Sequence, residues 1–333
     1  MTAEPQKEAI LPVLTIAIPT YNRSAFLSQL LLCLCGDLRN ESRVELIVSD
    51  NCSMDDTPAV VSRYQGEGLA IRYLRNQANI GADANFVQCF ESALGKYVWI
   101  IGDDDLLVPG AVPAILAYCE SANYDMLYVS QFALKVEPDK LTRIKIADAI
   151  EIRDPREYAR RIDVFFTFIS ANIVNKDRVT ASTQRDFSEL IGTNLGQLGW
   201  TYSALNCFEQ GLFIKDRLLG ARVNNAGGYA LFNVFGPNLK RVTESWVKNV
   251  DVQKVILNGT LRRFLPGFAL KHKRSNNPFK DEGPIQKILT PVFKKNPRYW
   301  VCLYPILVLP FVFAACWFVI IRTYNRLTTL WSH

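Results

Sequence analysis

The sequence is poor in metal-binding and secretory features. Its 333 residues include two histidines, His272 and His333, and the eight cysteines form no Cys-x-x-Cys pair. Since zinc sites use imidazoles and paired thiolates, a zinc site is not expected. Scattered cysteines are typical of small buried thiols in a reducing compartment. Residues 1–12 lack the apolar run of a signal peptide, so we expect a domain that stays in the cytoplasm.

Net positive charge is confined to the last quarter of the chain. The formal net charge is +6, but residues 1–260 hold 26 basic and 30 acidic side chains. Residues 261–298 hold ten basic and two acidic side chains, and two arginines follow. Nucleic-acid-binding domains carry a basic face on the folded domain, which this distribution does not provide. It predicts a basic juxtamembrane segment at 261–298 and no nucleic-acid partner.

Long apolar runs are also missing, except at residues 299–321, where 23 mostly apolar residues carry no formal charge. About 20 apolar residues suffice to span a bilayer. Pro305 and Pro310 would kink such a helix or make the segment re-entrant or interfacial. Because basic residues are denser before the segment than in the tail at 322–333, the positive-inside rule places the main domain at the cytoplasmic face. We predict a membrane-associated or transmembrane segment, with a buried core helix as the alternative.

The first half of the chain alternates apolar runs with helical patterns. Strands are predicted at 13–18, 44–49, 71–74, 97–101 and 126–129. Helices are predicted at 24–35, 56–64, 81–93 and 110–121. Repeated β-α-β units of this spacing predict an α/β fold with a Rossmann-like, doubly wound, mostly parallel sheet. Ligands of such sheets bind outside the carboxyl ends of the strands.

Polar clusters follow four of the predicted strands. They read PTYNR at 19–23, DNCSMDD at 50–56, RNQANIG at 75–81 and GDDD at 102–105. A single cluster is explained by the preference of Asp and Asn for turns and helix caps. Four clusters at one sheet edge indicate a binding site. Asp50 is a candidate reader of a base or ribose there, with a plain turn residue as the alternative.

Three adjacent carboxylates, Asp103, Asp104 and Asp105, follow the fourth strand. They repel one another unless solvent or a cation screens them. Carboxylate oxygens suit Mg²⁺ or Mn²⁺, and a magnesium site typically combines one or two carboxylates with substrate phosphates. The cluster predicts a metal bound beside a diphosphate; an acidic helix-capping loop is the alternative.

Together, PTYNR, SDNCSMDDT, the NxGxxxN pattern of Asn79, Gly81 and Asn85, and WIIGDDDLLVPGA resemble family 2 glycosyltransferases of the GT-A fold. The likeness covers roughly 13–130 closely and 131–240 loosely. Within the family, ISANIV at 169–174 and IGT at 191–193 are similar to the subgroup that includes bacterial abequosyltransferases of O-antigen synthesis.

The resemblance implies an inverting transfer from a nucleotide-diphosphate sugar. It implies a nucleotide-sugar-binding half at 13–130 and an acceptor-binding half at 131–260. The residues that it places around the donor are Pro19, Thr20, Tyr21, Asn22, Asp50, Asn79, Asn85, Asp103 and Asp104. Asp105 would ligate Mg²⁺ or Mn²⁺, and Arg75 would assist with phosphate.

The general base is the point at which the sequence departs from the family. The family supplies an acidic pair on a helix in the second half, but residues 192–197 contain no acid. Asp186 and Glu189 are the nearest candidates for taking the acceptor proton, with solvated surface acids as the alternative. Gly227, Gly228, Tyr229 and Trp200 are candidates for an acceptor pocket, although buried core aromatics are the stronger interpretation.

The basic and apolar tail indicates the acceptor. A positively charged segment beside a membrane suits an anionic lipid surface, where a lipid-linked saccharide would be presented. We therefore predict a metal-dependent, membrane-associated glycosyltransferase of cell-surface polysaccharide synthesis. A polyprenyl-phosphate sugar transferase and a catalytically degenerate nucleotide-binding scaffold remain as alternatives.

Overall fold

The computed structural model describes residues 11–135, 138–146, 148–222, 228–274 and 283–330. Almost all of the predicted N-terminal extension at 1–12 lies outside the described residues, as do Gly227 and His333.

In the part of the chain that the structure describes, nine strands form one mixed sheet. They are β1 (Leu14–Thr20), β2 (Val44–Asp50), β3 (Ile71–Arg75), β4 (Tyr97–Ile100), β5 (Leu106–Leu107), β6 (Met126–Leu134), β7 (Ala149–Ile152), β8 (Asn172–Asn175) and β9 (Gly211–Arg222). Their order is β3-β2-β1-β4-β8-β6-β9-β5, and β7 pairs with β9. The first four strands are parallel, as predicted.

The second half departs from a purely parallel sheet. Strand β8 enters between β4 and β6 and is antiparallel to both. The predicted fifth strand, β6, therefore does not pair with β4. Its parallel partner is the later strand β9, with an irregular register between Val129 and Gln131. The α/β class is confirmed, with a sheet whose second half mixes both directions.

Helices cover the sheet and continue beyond it. They are α1 (Ser24–Leu38), α2 (Thr57–Gly66), α3 (Ala82–Ser92), α4 (Ala111–Ser121), α5 (Pro155–Ile162), α6 (Lys176–Ser182), α7 (Leu198–Asn206), α8 (Leu231–Asn233), α9 (Leu239–Trp246), α10 (Val250–Gly259), α11 (Leu265–His272), α12 (Ile285–Phe293), α13 (Tyr304–Val308) and α14 (Phe311–Leu330). Short 3₁₀ turns lie at Pro138–Lys140, Asp163–Thr167, Ile169–Ala171 and Phe187–Leu190, and π-helical turns at Val234–Asn238, Thr260–Phe264 and Tyr299–Leu303.

The core is centred on the strands that carry helices on both faces. Every residue of β1 and β4 is buried, and for β4 the unbroken apolar run of the sequence predicts this. Helix α1 buries Leu27, Leu30, Leu31, Leu34 and Leu38, which recur at the three- and four-residue spacing of one helix face. The polar turns after the strands are thus supported on a rigid sheet.

The apolar segment at 299–321 is divided rather than continuous. A π-helical turn and α13 lead to Leu309 and Pro310, where the helix breaks, and α14 follows. Proline lacks an N–H and disfavours helix in the residue before it, which explains the break. Tyr299, Leu303 and Ile306 are buried against the domain. None of the helices in the described part of the chain has the length and apolar content that crossing a membrane requires.

Candidate functional site

The parallel register aligns the ends of the first three strands. Thr20 lies opposite Asp50 in the β1–β2 pair, and Asp50 lies opposite Arg75 in the β2–β3 pair. Because the strands run the same way, the turns that follow them meet at one edge of the sheet. The predicted convergence of the polar clusters is therefore confirmed.

Asp50 is fully buried beneath this edge and has three partners. Its Oδ1 accepts the Ser53 backbone N–H at 2.8 Å, and its Oδ2 accepts the Tyr73 hydroxyl at 2.5 Å. Arg75 Nε lies 3.4 Å from Oδ2. Burial and the Asp50 carboxylate raise the pKa of Tyr73 well above its ordinary value, so this phenol stays a hydrogen-bond donor. Asp50 organises the turn after β2 as well as facing the edge.

The turns after β1 and β2 are linked by Asn22, whose backbone is left-handed at φ 52°. Its N–H donates to Ser53 Oγ at 2.9 Å, and its Oδ1 accepts the Met54 N–H at 2.7 Å. Asparagine tolerates this conformation better than most residues. Tyr21, which Asn22 holds at the tip of the turn, is 41% exposed, and its ring is available to a ligand.

An asparagine network connects the second and third turns. Asn51 Nδ2 donates to Asn79 Oδ1 at 2.8 Å, and Asn51 Oδ1 accepts Asn76 Nδ2 at 3.1 Å. Asn85 is buried, accepts Ser49 Oγ at 2.7 Å and donates to the Ser49 carbonyl at 3.0 Å. Asn85 thus positions α3 against the end of β2, and Asn79 shapes the rim of the site.

Asp103 is 2% exposed and is held by the turn after β1. Thr20 Oγ1 donates to its Oδ2 at 2.8 Å, and Arg23 Nη1 lies 2.7 Å from its Oδ1. Burial raises the pKa of Asp103 to about 6, although Arg23 and Thr20 oppose that rise. The same Arg23 nitrogen is 3.7 Å from Asp104 Oδ1. A cation of the protein itself therefore screens part of the acidic cluster.

Asp105 is also buried, and its Oδ1 accepts the Arg222 N–H at 3.3 Å. Burial and the neighbouring Asp104 carboxylate raise its pKa to about 7. A Cβ placed on Gly102 would lie 3.2 Å from Asp104 Oδ1, 3.4 Å from Asp105 Oδ2 and 3.5 Å from Ser170 Oγ. Glycine thus leaves open a point on which three side-chain oxygens converge.

These oxygens fit a hard divalent cation in chemical type. Among the described residues no group of three or more His, Cys, Asp or Glu side chains could hold a metal ion. Two carboxylates, Asp104 and Asp105, nevertheless match the usual protein share of a magnesium site, in which substrate phosphates and water supply the other ligands. The site suits a metal that arrives together with a phosphorylated ligand.

A buried carboxylate that the sequence reasoning missed, Asp83, ties the second half of the domain to this edge. Its Oδ2 accepts the N–H groups of Gly192 and Asn194, each at 2.9 Å, and its Oδ1 accepts that of Gly196 at 3.0 Å. Gly192 and Asn194 have φ of 85° and 57°, so the loop curls around the carboxylate. The sequence gives no signal of this pairing, because Asp83 looks like an ordinary acid in the first turn of a helix, and Gly192 and Gly196 lie more than 100 residues later.

The structure places Asp186 and Glu189 on the protein surface. Asp186 Oδ1 accepts the Ser188 N–H at 2.8 Å, which caps the following 3₁₀ turn. Hydrogen bonding with the Ser188 side chain, and then with its N–H, lowers the pKa of Asp186. Glu189 forms an ion pair with Arg185, whose guanidinium lies over the Trp246 ring. Their role as general base stays a prediction.

The predicted acceptor aromatics belong mainly to the core. Trp200 is 3% exposed and stacks on Phe90 at a centroid distance of 4.9 Å. Tyr229 packs near Phe235 at 6.4 Å. The core interpretation of Trp200 is therefore correct.

Comparison with known proteins agrees with this architecture. Residues 15–179 match the family model described as Glycosyl transferase family 2. Abequosyltransferase RfbV of Salmonella typhimurium is 30% identical over 158 residues, which cover 47% of this chain and 44% of the relative. GalNAc(5)-diNAcBac-PP-undecaprenol beta-1,3-glucosyltransferase of Campylobacter jejuni is 32% identical over 109 residues, covering 32% of this chain and 34% of the relative. The matches thus span less than half of these relatives.

Solved structures resemble the chain over most of its length. S. aureus TarS 1-349 in complex with UDP-GlcNAc has a TM-score of 0.60 at 15% identity, covering 94% of this chain and 91% of that one. Mannosyltransferase PcManGT from Pyrobaculum calidifontis, in complex with GDP-Man and Mn²⁺, has a TM-score of 0.51 at 14% identity, covering 93% and 87%. At these identities the likeness shows a shared fold.

Proposed function

Residues 15–179 belong to glycosyl transferase family 2, and from this premise we propose that the protein transfers a sugar from a nucleotide-diphosphate donor to a lipid-linked saccharide. The observation that carries the proposal is the acidic cluster at the carboxyl end of β4, where buried Asp103 and Asp105 flank Asp104. It adjoins the turns in which α/β sheets bind ligands. The fold shared with TarS, whose structure holds UDP-GlcNAc, supports a nucleotide-sugar donor.

On the donor side, Asp50 and the rim formed by Tyr21, Asn22 and Asn79 contact the nucleoside. Asp50 is fixed by Ser53 and Tyr73, so a polar ligand that displaces Arg75 meets a carboxylate already held in place. Asp103 approaches the ribose or the sugar, and Arg23 balances its charge. These contacts orient the donor before any bond changes.

Asp105, together with Asp104, would hold Mg²⁺ or Mn²⁺ at the point beside Gly102. A divalent ion there would neutralise charge on the diphosphate as the sugar leaves. Mn²⁺ in the related fold of PcManGT supports this assignment. Asp103 and Asp105 are buried, so little water surrounds their carboxylates. Their electrostatic attraction to a bound cation would therefore be stronger than at an exposed position.

Inversion at the anomeric carbon requires the acceptor hydroxyl to lose its proton as it attacks opposite the diphosphate. Asp186 or Glu189 takes that proton in our proposal. Both precede the loop at 192–197 that Asp83 anchors to the donor edge. Glu189 must leave its ion pair with Arg185 to act, whereas Asp186 must give up a capping hydrogen bond.

The acceptor in our proposal is a saccharide carried on a lipid diphosphate at the cytoplasmic face of a membrane, in O-antigen or related polysaccharide synthesis. The Campylobacter relative is named for an undecaprenol-linked acceptor, and the Salmonella relative is named an abequosyltransferase. The net charge of +8 over residues 261–298 suits an anionic surface.

A second candidate is transfer to a polyprenyl phosphate itself. It is favoured by the surface positions of Asp186 and Glu189, because a phosphate acceptor is already ionised and needs little help from a base. The two functions differ in product mass when the same membranes receive either polyprenyl phosphate or a lipid-linked oligosaccharide.

Donor binding provides the primary test. Purified protein is screened by thermal unfolding against UDP-, GDP-, CDP- and dTDP-linked sugars with Mn²⁺. A ligand present at 100 times its Kd stabilises the folded state by about 2.7 kcal/mol, a shift readily seen in Tm. We expect one donor class to raise Tm, and Asp105→Asn to reduce that rise, while Asp148→Asn, at an exposed ion pair with Lys215, preserves it. No stabilisation by any donor would contradict the proposal.

A further inference from the structure

Exposed apolar side chains are concentrated near the end of the chain. In the part of the chain that the structure describes, 17 large apolar side chains are exposed, and eight of them lie between residues 300 and 324. A contiguous apolar surface of this kind usually meets a partner or a membrane. The eight side chains are Trp300, Val301, Val308, Val312, Phe313, Val319, Ile320 and Tyr324.

Five of these side chains recur at four- and seven-residue spacings on α14 and therefore share one face of the helix. Exposed Cys316 lies on the same face, one helical turn from Val312 and from Ile320. At 1.5 Å per residue the face is about 18 Å long. We call it the exposed face of α14, and it comprises Val312, Phe313, Cys316, Val319, Ile320 and Tyr324.

The opposite side of α14 is packed against the domain. Ala314 and Ile321 are buried on that side. Asn325 Oδ1 accepts a hydrogen bond from Arg262 Nε at 2.9 Å, and Asn325 Nδ2 donates to the Arg262 carbonyl at 3.1 Å. Because these contacts hold one side of the helix, the exposed face is directed away from the domain.

The π-helical turn Thr260–Phe264, to which α14 is bonded, is itself anchored. Within it, Arg263 forms an ion pair with the buried carboxylate of Asp163. A Cβ placed on Gly259, just before the turn, would lie 2.5 Å or less from three side-chain atoms of Asp163, so only glycine permits this approach. The orientation of α14 is therefore fixed by the core of the domain.

A neighbouring turn adds exposed apolar side chains beside α14. Trp317 lies one helical turn from both Phe313 and Ile320, and its Nε1 donates to the Val301 carbonyl at 2.8 Å. The turn that carries Val301 and Trp300 therefore lies next to the helix, with these side chains 56% and 44% exposed. Tryptophan favours the depth of lipid headgroups, where its ring meets apolar groups and its N–H meets polar ones.

Cations accompany this surface, and its part of the sequence has no acids. Residues 283–333 contain six Lys and Arg and no Asp or Glu. Arg298, just before the neighbouring turn, and Arg322, on α14, are both exposed. At the other end of the helix, Lys273 Nζ donates to the Leu309 carbonyl at 3.0 Å. The surface therefore combines apolar side chains with positive charge, which complements an anionic partner.

We propose that the exposed face of α14 lies in the headgroup region of an anionic bilayer, with the helix parallel to the membrane plane. Anionic headgroups attract the cations, and the boundary of the hydrocarbon region takes up the apolar side chains. A second copy of the chain fits less well, because pairing through this face would bring together two basic segments that contain no acid.

This inference deepens the membrane placement in the proposed function, on which it rests, and is independent of the transfer reaction. The sequence predicts membrane contact for residues 299–321 as a whole. In our proposal the contact is restricted to one face of α14 and the turn beside it, and it continues to Tyr324. Buried Ala314 and Ile321 stay on the domain.

Cys316 provides a native probe of this surface. Wild-type protein is treated with a charged, water-soluble maleimide, and labelling is followed by peptide mass mapping. The reaction is run without vesicles, with phosphatidylcholine vesicles and with vesicles that also contain phosphatidylglycerol. We expect the anionic vesicles to slow labelling of Cys316 about tenfold, and that of half-buried Cys35 on α1 by less than about twofold.

Three outcomes of the labelling experiment would overturn the proposal. The first is unchanged labelling of Cys316 with anionic vesicles, and the second is equal slowing at Cys316 and Cys35. The third is slowing of Cys316 by a higher protein concentration without vesicles, which would show that a second copy covers the face.

Matched variants provide an independent test by sedimentation with the anionic vesicles. Phe313→Ser/Ile320→Ser removes two apolar side chains from the exposed face of α14. Leu32→Ser/Leu94→Ser removes two that are 54% and 56% exposed elsewhere. We expect the first variant to lose about tenfold in vesicle affinity and the control less than about twofold. Equal losses would overturn the assignment to this face.

These experiments separate the surface from the enzyme. Far-UV circular dichroism confirms that each variant is folded, and the labelling experiment needs no variant. Since neither experiment contains a donor or acceptor sugar, an inactive transferase would leave both results unchanged. Absence of vesicle binding by a protein that transfers sugar would overturn the membrane surface alone.

Discussion

Arg23 Nη1 lies 2.7 Å from Asp103 Oδ1 and joins the turn after β1 to the acidic cluster after β4. The two residues are 80 positions apart in the sequence and meet because β1 and β4 are neighbours in the sheet. Arg23 thereby offsets part of the repulsion among Asp103, Asp104 and Asp105. The acidic cluster is consequently neutralised in part by the protein itself before any ligand binds.

Replacing Arg23 with alanine should destabilise the fold, because it leaves the buried Asp103 carboxylate without its cation. We expect a loss of about 2 kcal/mol in the free energy of unfolding. The double variant Arg23→Ala/Asp103→Asn should recover part of that loss, since no buried charge remains. Urea unfolding of the four proteins in this cycle measures the coupling, and strictly additive effects would disprove the pairing.

Removing the Tyr73 hydroxyl should weaken donor binding. In Tyr73→Phe, the Asp50 carboxylate keeps its hydrogen bond from Ser53 and its ion pair with Arg75. It loses the hydrogen bond at 2.5 Å from the Tyr73 hydroxyl to Oδ2. We expect the KM for the donor to rise about tenfold, in line with a hydrogen bond to a charged group. Tyr64→Phe is the control, since its hydroxyl bonds the Ser28 carbonyl away from the edge. Similar KM values in both variants would count against a donor role for Asp50.

Asp83→Asn should release the loop at 192–196. The amide keeps one acceptor oxygen, so at least one of the three backbone N–H bonds is lost. Hydrogen exchange at Gly192, Asn194 and Gly196 should accelerate by about tenfold or more, corresponding to roughly 1.4 kcal/mol. Exposed Asp177→Asn serves as the comparison. Unchanged exchange would mean that Asp83 does not hold the loop.

The residue that acts as general base should be identified by the effect of its substitution on kcat. We expect either Asp186→Asn or Glu189→Gln, but not both, to lower kcat by about 100-fold or more while the donor KM stays within threefold. Arg185→Gln frees Glu189 from its ion pair and should alter the pH profile only if Glu189 is the base. Full activity in both acid variants would remove these two residues from the mechanism and favour the phosphate acceptor.

The sequence was informative where one local rule sufficed. Helix α1 was predicted from its apolar period and extends to Leu38, which continues the same buried face. The meeting of the strand-end turns followed from parallel strands alone. Strand β8 was missed because Asn172–Asn175 reads NIVN, with two apolar residues between asparagines, and its antiparallel position depends on partners far along the chain.

Side-chain pairings were harder to foresee. Tyr73 and Arg75 are two residues apart on a strand, so both face Asp50 on the neighbouring strand, a signal that was available in the period of β3. No such period connects Asp83 with its loop or Asp163 with Gly259. Pro310 predicts the break in the apolar segment. The sequence does not predict that Tyr299 and Ile306 pack against the domain, because that packing depends on the tertiary structure.

Sugar transfer in the presence and absence of metal tests the central claim most directly. Wild-type protein, Asp105→Asn and the surface control Asp148→Asn are incubated with the stabilising donor and a lipid-linked oligosaccharide, and the product is identified by mass. We predict a product one sugar heavier with wild type and the control, its loss on chelation and its return with Mn²⁺, and at least a 100-fold lower rate for Asp105→Asn. Undiminished transfer by Asp105→Asn, or by chelated wild type, would contradict the metal-dependent site, and no transfer under any condition would contradict the enzyme.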